Sequence, residues 1–184
     1  SDAIGNDYYN QGYVFFSLDP VEVNIVGDSI DLEMRIMEGP QATINKVRIN
    51  GNDRLYENIV RRELRTKPGD LFNRDALERS YREIAQMGHF NPENIQPDVQ
   101  PDAANGTVDI NWNLESKPND QIEFSAGWGQ TGVIGKLSLK FTNFSMSNLF
   151  RKNDNYRGII PQGDGQTMTV SGQTNGSYYQ SYSI

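Results

Sequence analysis

His89 is the one imidazole in the chain, and the chain has no Cys. A single His with no thiol and no paired nucleophile is a poor catalyst, and thiolate chemistry, disulfides and multi-His metal centres are excluded. His89 follows Gly88, where a helix-capping or solvent-exposed role is expected. Asp98, Asp102 and Asp109 form the nearest approach to an acidic metal site. Their spacing does not match a calcium loop, whereas Pro101 and Asn105-Gly106 fit a hairpin turn directly. We therefore expect no catalytic residue, no cofactor and no metal.

Positive charge gathers in two helical stretches, at Arg54, Arg61, Arg62, Arg65, Lys67, Arg74, Arg79 and Arg82. Acids are interleaved with them, so one reading is a solvated helix face. The other is a docking face for an acidic partner or nearby headgroups, centred on Arg61, Arg62 and Arg65. The chain as a whole is acidic, with 17 Lys+Arg against 24 Asp+Glu and a formal net charge of −7. With no basic stripe, nucleic acid is not an expected partner.

These residues need elements to position them. Lys46-Val47-Arg48-Ile49-Asn50 alternates as a half-buried strand does, although the alternation fails at Ile44. Tyr56, Ile59, Val60 and Leu64 fall at helical spacing, and Lys67-Pro68-Gly69-Asp70 ends that helix. Asn73 is placed to cap the next, with Leu77, Tyr81 and Ile84 on its apolar stripe and Gly88 past its end. Val108, Ile110, Trp112 and Leu114 then alternate without a break. The predicted fold is α+β: strand, helix, helix, strand, strand, with two helices on one sheet face. The strand through Ile95, Gln96, Asp98, Val99 and Gln100 contains Pro97, which has no N–H for a ladder, so it belongs at an edge with the unbroken strand central. An exposed edge can accept an extended chain, yet proline also guards against such pairing. Pairing there is expected to be weak, short or shifted in register, or the edge is simply protected.

Residues 1–40 repeat the second half of this unit. A short helix ends at Gly12, a strand with Pro20 follows over Val14 to Ile25, and Ile30 to Ile36 alternates. Ser1-Asp2-Ala3 shows neither an initiator Met nor a signal peptide, so the chain is expected to be a piece of a longer protein. Near Pro118-Asn119 the composition changes. Residues 1–118 hold 12 basic and 20 acidic residues, a net of −8, and residues 119–184 hold 5 and 4, a net of +1. Four candidate strands follow: Ile122 to Trp128, Leu137 to Phe141, Thr167 to Thr174 and Tyr178 to Ile184. Alternating strands of this kind fit a transmembrane β-barrel and a soluble antiparallel meander alike. Open apolar faces and edges make self-association through residues 119–184 an expectation.

Residues 41–118 resemble a POTRA domain, the β-α-α-β-β module of BamA-like outer-membrane assembly factors. The matching stretches are Ile49-Asn50-Gly51-Asn52, Val60-Arg61-Arg62-Glu63-Leu64, Pro68-Gly69-Asp70, the helix through Leu77 and Tyr81, and Gly88-His89-Phe90, with His89 where the family usually has Tyr. Residues 1–40 are similar to the C-terminal half of a preceding POTRA domain. Residues 119–184 are similar to the first strands of the barrel, with Asn148-Leu149-Phe150 in the first periplasmic turn and Arg151 in place of the usual glycine. The resemblance implies a three-stranded mixed sheet under two helices, no enzymatic activity and no cofactor. It implies an outer-membrane location with the POTRA part in the periplasm. Its implied partners are unfolded outer-membrane proteins, accessory periplasmic lipoproteins and, through the barrel, outer-membrane lipid. It places the lateral seam of the barrel at Ile122, Glu123, Phe124, Ser125 and Ala126. The rival is a two-partner-type secretion pore, whose POTRA domains recognise one secreted substrate. A soluble enzyme domain is a poorer third, since nucleophile, base and metal set are all missing.

Overall fold

The computed structural model describes residues 2–130, 132–150, 160–176 and 179–184. They form two compact units that interleave along the sequence. One comprises Ser1–Asn50, Leu64–Glu83 and Ile95–Asn113, and the other Gly51–Glu63, Ile84–Asn94 and Leu114–Ile184.

The first unit begins with helix α1 (Asp2–Asn10) and a hairpin of β1 (Ser17–Val26) and β2 (Ser29–Met37). Strand β1 starts later than the alternation predicts. Tyr13 and Phe16 are held back by α1 instead: the Phe16 ring stacks on Tyr8 at 5.0 Å, and Tyr13 meets Tyr8 edge-on at 5.7 Å. Strand β3 (Thr43–Asn50) lies parallel to β5 (Thr107–Asn113), and β4 (Gln96–Asp102) lies antiparallel to β5. The order β3-β5-β4 puts the unbroken strand in the centre and the proline strand at an edge, and the sheet is mixed. A register shift between Ile44 and Lys46 explains the broken alternation of β3. Asn45 is the extra residue of a bulge, so Ile44 and Val47 are both buried. Every second residue of β5 is inside: Val108, Ile110 and Trp112 are each 0 % exposed.

Two helices lie between β3 and β4. Helix α2 (Glu57–Arg61) is shorter than its periodicity predicts. Tyr56 precedes it with extended backbone, and the Glu63 N–H turns back to the Val60 carbonyl at 3.1 Å, a tightened i→i−3 ending. Ile59 and Val60 are buried, as is Leu64, whereas Tyr56 is exposed. Helix α3 (Arg74–Gln86) is capped as predicted: the Asn73 Oδ1 accepts the Ala76 N–H at 2.9 Å. Leu77 and Ile84 are buried on it. So is Ser80, whose Oγ donates to the Ala76 carbonyl and accepts the Arg65 N–H, both at 2.8 Å.

The second unit carries an antiparallel meander of β6 (Gln121–Gly129), β7 (Gly132–Phe144), β8 (Gln166–Thr174) and β9 (Gln180–Ser183), paired in chain order. A five-residue helix, α4 (Met146–Phe150), follows β7. Among the described residues the meander is not closed into a barrel. Its register sets Ile122 opposite Leu139 and Phe124 opposite Leu137. Ile122, Phe124 and Trp128 are 76 %, 75 % and 88 % exposed.

Candidate functional site

The proline strand is more constrained than its sequence suggested. Pro97 faces Trp112, Val99 faces Ile110 and Pro101 faces Val108. With a period of two, these three residues share one hydrogen-bonding phase. Proline is tolerated in a sheet where its missing N–H points away from the ladder. The outward side of β4 therefore offers the Val99 N–H between two positions without a donor. Gln96, Asp98 and Gln100 take the other phase and are exposed, with the Gln100 Nε2 donating to Asp98 at 2.7 Å. Ile95 lies one residue before the strand and is buried.

The acids near that hairpin each have their own partner. Asp102 accepts from the Ala104 and Asn105 N–H groups and from the Asn105 side chain at 2.7 Å, and these bonds hold its carboxyl below the usual range. Asp109 pairs with Arg48 at 3.3 Å. They shape a turn and a ladder, and among the described residues no group of three such ligands gathers.

The arginines are also partnered. Arg61 pairs with Glu57 one turn away, and Arg62 with Glu63 at 2.9 Å, both in the second unit. Arg65, in the first, pairs with Glu83 at 3.5 Å. Exposed pairs of this kind are each worth about 0–1 kcal/mol, so a stronger carboxylate can displace them at little cost. Ile122, Glu123, Phe124, Ser125 and Ala126 lie along β6, whose only ladder among the described residues is to β7.

The most elaborate polar construction is one that sequence patterns did not single out. It lies wholly in the second unit, where β7 ends and the chain returns over Pro161–Gly165. The Ser145 N–H donates to the Pro161 carbonyl at 3.0 Å, and the Gly163 N–H to the Asn143 carbonyl at 3.1 Å. The Asn143 side chain, buried, uses both ends of its amide. Its Oδ1 accepts the N–H groups of Gly163 (3.2 Å) and Gly165 (3.1 Å), and its Nδ2 donates to the Arg54 carbonyl at 2.8 Å. Asp164 accepts the hydroxyls of Ser145 (2.6 Å) and Ser147 (2.8 Å), and Ser145 in turn caps α4 by accepting the Asn148 N–H.

The segment before α2 is tied to this turn by backbone and side chain alike. The Tyr56 N–H donates to the Gly163 carbonyl at 2.9 Å, and the Tyr56 hydroxyl meets the Asn148 side-chain amide. The Arg54 guanidinium donates to the Gln162 Oε1 at 3.2 Å and sits 3.6 Å from Asp120. The approach leaves no room for side chains on the turn. A β-carbon at Gly163 would lie 2.8 Å from the Tyr56 ring, and both Gly163 and Gly165 have positive φ. We call this arrangement the turn clasp. What it can do is fix one backbone segment against another. The one sequence signal for it is the Gly163-Asp164-Gly165 triplet, an acid between two residues free to approach closely.

His89 is part of the same surroundings rather than a solvent-exposed cap. It is half-buried, and its carbonyl accepts the Lys117 N–H at 2.9 Å. Burial, and secondarily the Arg54 guanidinium, push its imidazole below the ordinary value, while Asp120 pulls the other way. Arg151 and residues 152–159 lie outside the described residues.

Residues 42–117 match the family model for POTRA, the surface antigen variable number repeat. The outer membrane protein assembly factor BamA of Neisseria meningitidis serogroup B is 30 % identical over 151 residues, which is 80 % of this chain and 18 % of that protein. The BamA of Neorickettsia risticii is 25 % identical over 145 residues, 78 % of this chain and 19 % of that one. The chain thus spans under a fifth of the length of these curated relatives. Among solved structures, Haemophilus ducreyi BamA lacking POTRA domains 1–3 matches with a TM-score of 0.69 at 19 % identity, over 94 % of this chain and 30 % of that one. Haemophilus influenzae BamA POTRA3–5 matches with a TM-score of 0.54 at 20 % identity, over 62 % of this chain and 45 % of that one.

Proposed function

From the premise that this chain is a BamA-like member of the Omp85 family with a POTRA domain at residues 42–117, we propose that it belongs to an outer-membrane protein assembly and insertion factor. Residues 1–40 are the second half of a preceding POTRA domain, residues 41–118 a complete one, and residues 119–184 the first strands of a transmembrane barrel. The POTRA part stands in the periplasm and the barrel in the outer membrane. The work is non-covalent. Unfolded outer-membrane proteins are guided by strand pairing toward the barrel, whose seam lies along Ile122 to Ala126.

One observation carries this reading: a sheet with a buried apolar face is followed in the same chain by a meander whose Ile122, Phe124 and Trp128 are left exposed. Such side chains on alternate positions suit a lipid-facing band. The edge of β4 contributes at most a short contact to client chains, because two of its three outward positions are prolines. The Arg61, Arg62 and Arg65 side chains serve accessory periplasmic lipoproteins by exchanging their intrachain carboxylates for those of the partner. Depletion in the native host tests the proposal. A general loss of outer-membrane proteins is the expected result. Loss of a single secreted substrate, with the other outer-membrane proteins intact, would overturn it in favour of a two-partner-type secretion pore.

A further inference from the structure

We propose that His89 is an acid-sensed latch on the turn clasp: protonation of its imidazole releases the Pro161–Gly165 turn from the Arg54–Ile59 segment. This goes beyond a role in assembly, and it follows from what surrounds the ring. A cavity of about 10 Å³ is lined by Arg54, Leu55, His89, Lys117, Asn119 and Thr142, with Asn143 closing it. That volume is at the lower edge of what one water occupies, so the covered side of the half-buried ring has little room for a solvating water. Gly165 stands directly against the ring, and a β-carbon placed on it would lie 3.6 Å from the His89 Nε2.

Three charged residues face His89, from two parts of the unit. Arg54 lies in the segment before α2, and Lys117 and Asp120 lie between β5 and β6. Two of the three are cations. Asp120, the one acid, already holds Arg54 at 3.6 Å and accepts the Thr142 N–H at 3.1 Å. Asp164, on the turn itself, is taken up by Ser145 and Ser147. An imidazolium at this place thus meets like charge and an engaged carboxylate, with water kept from the side of the ring that the turn covers. The element that can yield is the turn. It is held to Arg54 through the Gln162 side chain and to Tyr56 through the Gly163 carbonyl, bonds that water can replace once the glycines step back.

The sign follows from linkage. A base whose folded-state affinity for protons is lowered favours the closed state above its ordinary pKa, near 6.5, and progressively less as pH falls below that value. Acidification from pH 7.5 to 5.5 crosses this window while leaving ordinary carboxylates charged.

The test uses the 184-residue chain in detergent micelles, with two NMR readouts. The His89 ring resonances give its titration midpoint, and exchange of the Tyr56 amide, which donates to the Gly163 carbonyl across the junction, corrected for its intrinsic rate, gives opening of the clasp. The expected result is a midpoint below the ordinary imidazole value. Protection of the Tyr56 amide should drop by at least about threefold between pH 7.5 and 5.5 in the parent, and by less in His89→Gln and His89→Phe. A His89 midpoint at or above the ordinary value would overturn the proposal. So would an equal pH response in parent and both variants, since the clasp would then be sensing another group.

Discussion

Strands β5 and β6 read alike and end up in opposite surroundings. Val108, Ile110 and Trp112 alternate with Asp109, Asn111 and Asn113, and the apolar set is sealed off completely. Ile122, Phe124 and Trp128 sit on the same period of two, and all three are largely exposed. Periodicity specifies that a strand has two unlike faces. It does not specify what covers the apolar one. In β5 the protein itself does so. In β6 the described residues supply no cover, which is what a lipid-facing strand would look like without its lipid.

The sharpest way to break this contrast is to truncate one Trp from each strand. Trp112→Ala should lower stability by about 3–5 kcal/mol, the usual effect of emptying a large core site. Trp128→Ala in water should change it by no more than about 0.5 kcal/mol. Chemical denaturation of the two variants measures both. Equal losses would mean that β6 has a core of its own. Trp112→Phe refines the point. The Trp112 Nε1 is buried and finds no acceptor among the described residues, so the smaller ring also discards an unpartnered donor. It should cost clearly less than the Ala variant.

The next effect concerns the turn clasp. Asn143→Ala strands the Gly165 N–H and the Arg54 carbonyl and leaves the Gly163 N–H only the backbone carbonyl of residue 143, and should cost about 1–3 kcal/mol. Asn143→Asp keeps the acceptor and loses the donor, so its loss should be smaller. Thermal unfolding of both variants distinguishes them, and an Asp variant as weak as the Ala variant would show that the Arg54 bond dominates.

Self-association is a further test of β6. Phe124, Leu139 and Phe141 should be covered between copies when no lipid is present, so sedimentation of the chain in plain buffer should show oligomers. Phe124→Ser with Leu139→Ser should shift that equilibrium toward monomer without loss of the β3-β5-β4 sheet. A compact monomer in the parent would favour a soluble meander over barrel strands. The smallest effect is expected at the β4 edge. Pro97→Val with Pro101→Val restores two outward donors and favours strand geometry. Affinity for an extended client peptide, read by NMR titration, should rise by a few-fold, and unchanged affinity would remove β4 from the list of pairing edges.

Much of this fold was legible. Asn73 as a cap, the central place of β5, the edge place of the proline strand and the presence of four later strands all rest on local rules. A cap spans three residues and an alternation spans seven, so a short window contains the whole cause. The clasp was not legible for the opposite reason. Asn143 reaches Arg54 across 89 positions and Arg54 reaches Gln162 across 108. Nothing in the residues near Asn143 announces a partner that far away. His89 was misplaced for the same reason. Its neighbours in sequence suggested a cap, whereas Arg54 and Gly165, which define its environment, are distant. Tyr56 fitted the helical stripe by spacing, but its N–H was drawn to Gly163 before the helix began.

The bulge in β3 carries a consequence for how the chain can change in length. Without Asn45, residues Ile44, Val47 and Ile49 would alternate without interruption, and Lys46, Arg48 and Asn50 would still fall beside Asp109, Asn111 and Asn113. A deletion at Asn45 gives up one side-chain bond to Asp109 and inverts nothing. Between Lys46 and Asn50 the same deletion would turn part of the strand over and drive charged or amide side chains toward the interior. Asn45 is thus the position in this strand where relatives can differ by one residue and keep the sheet.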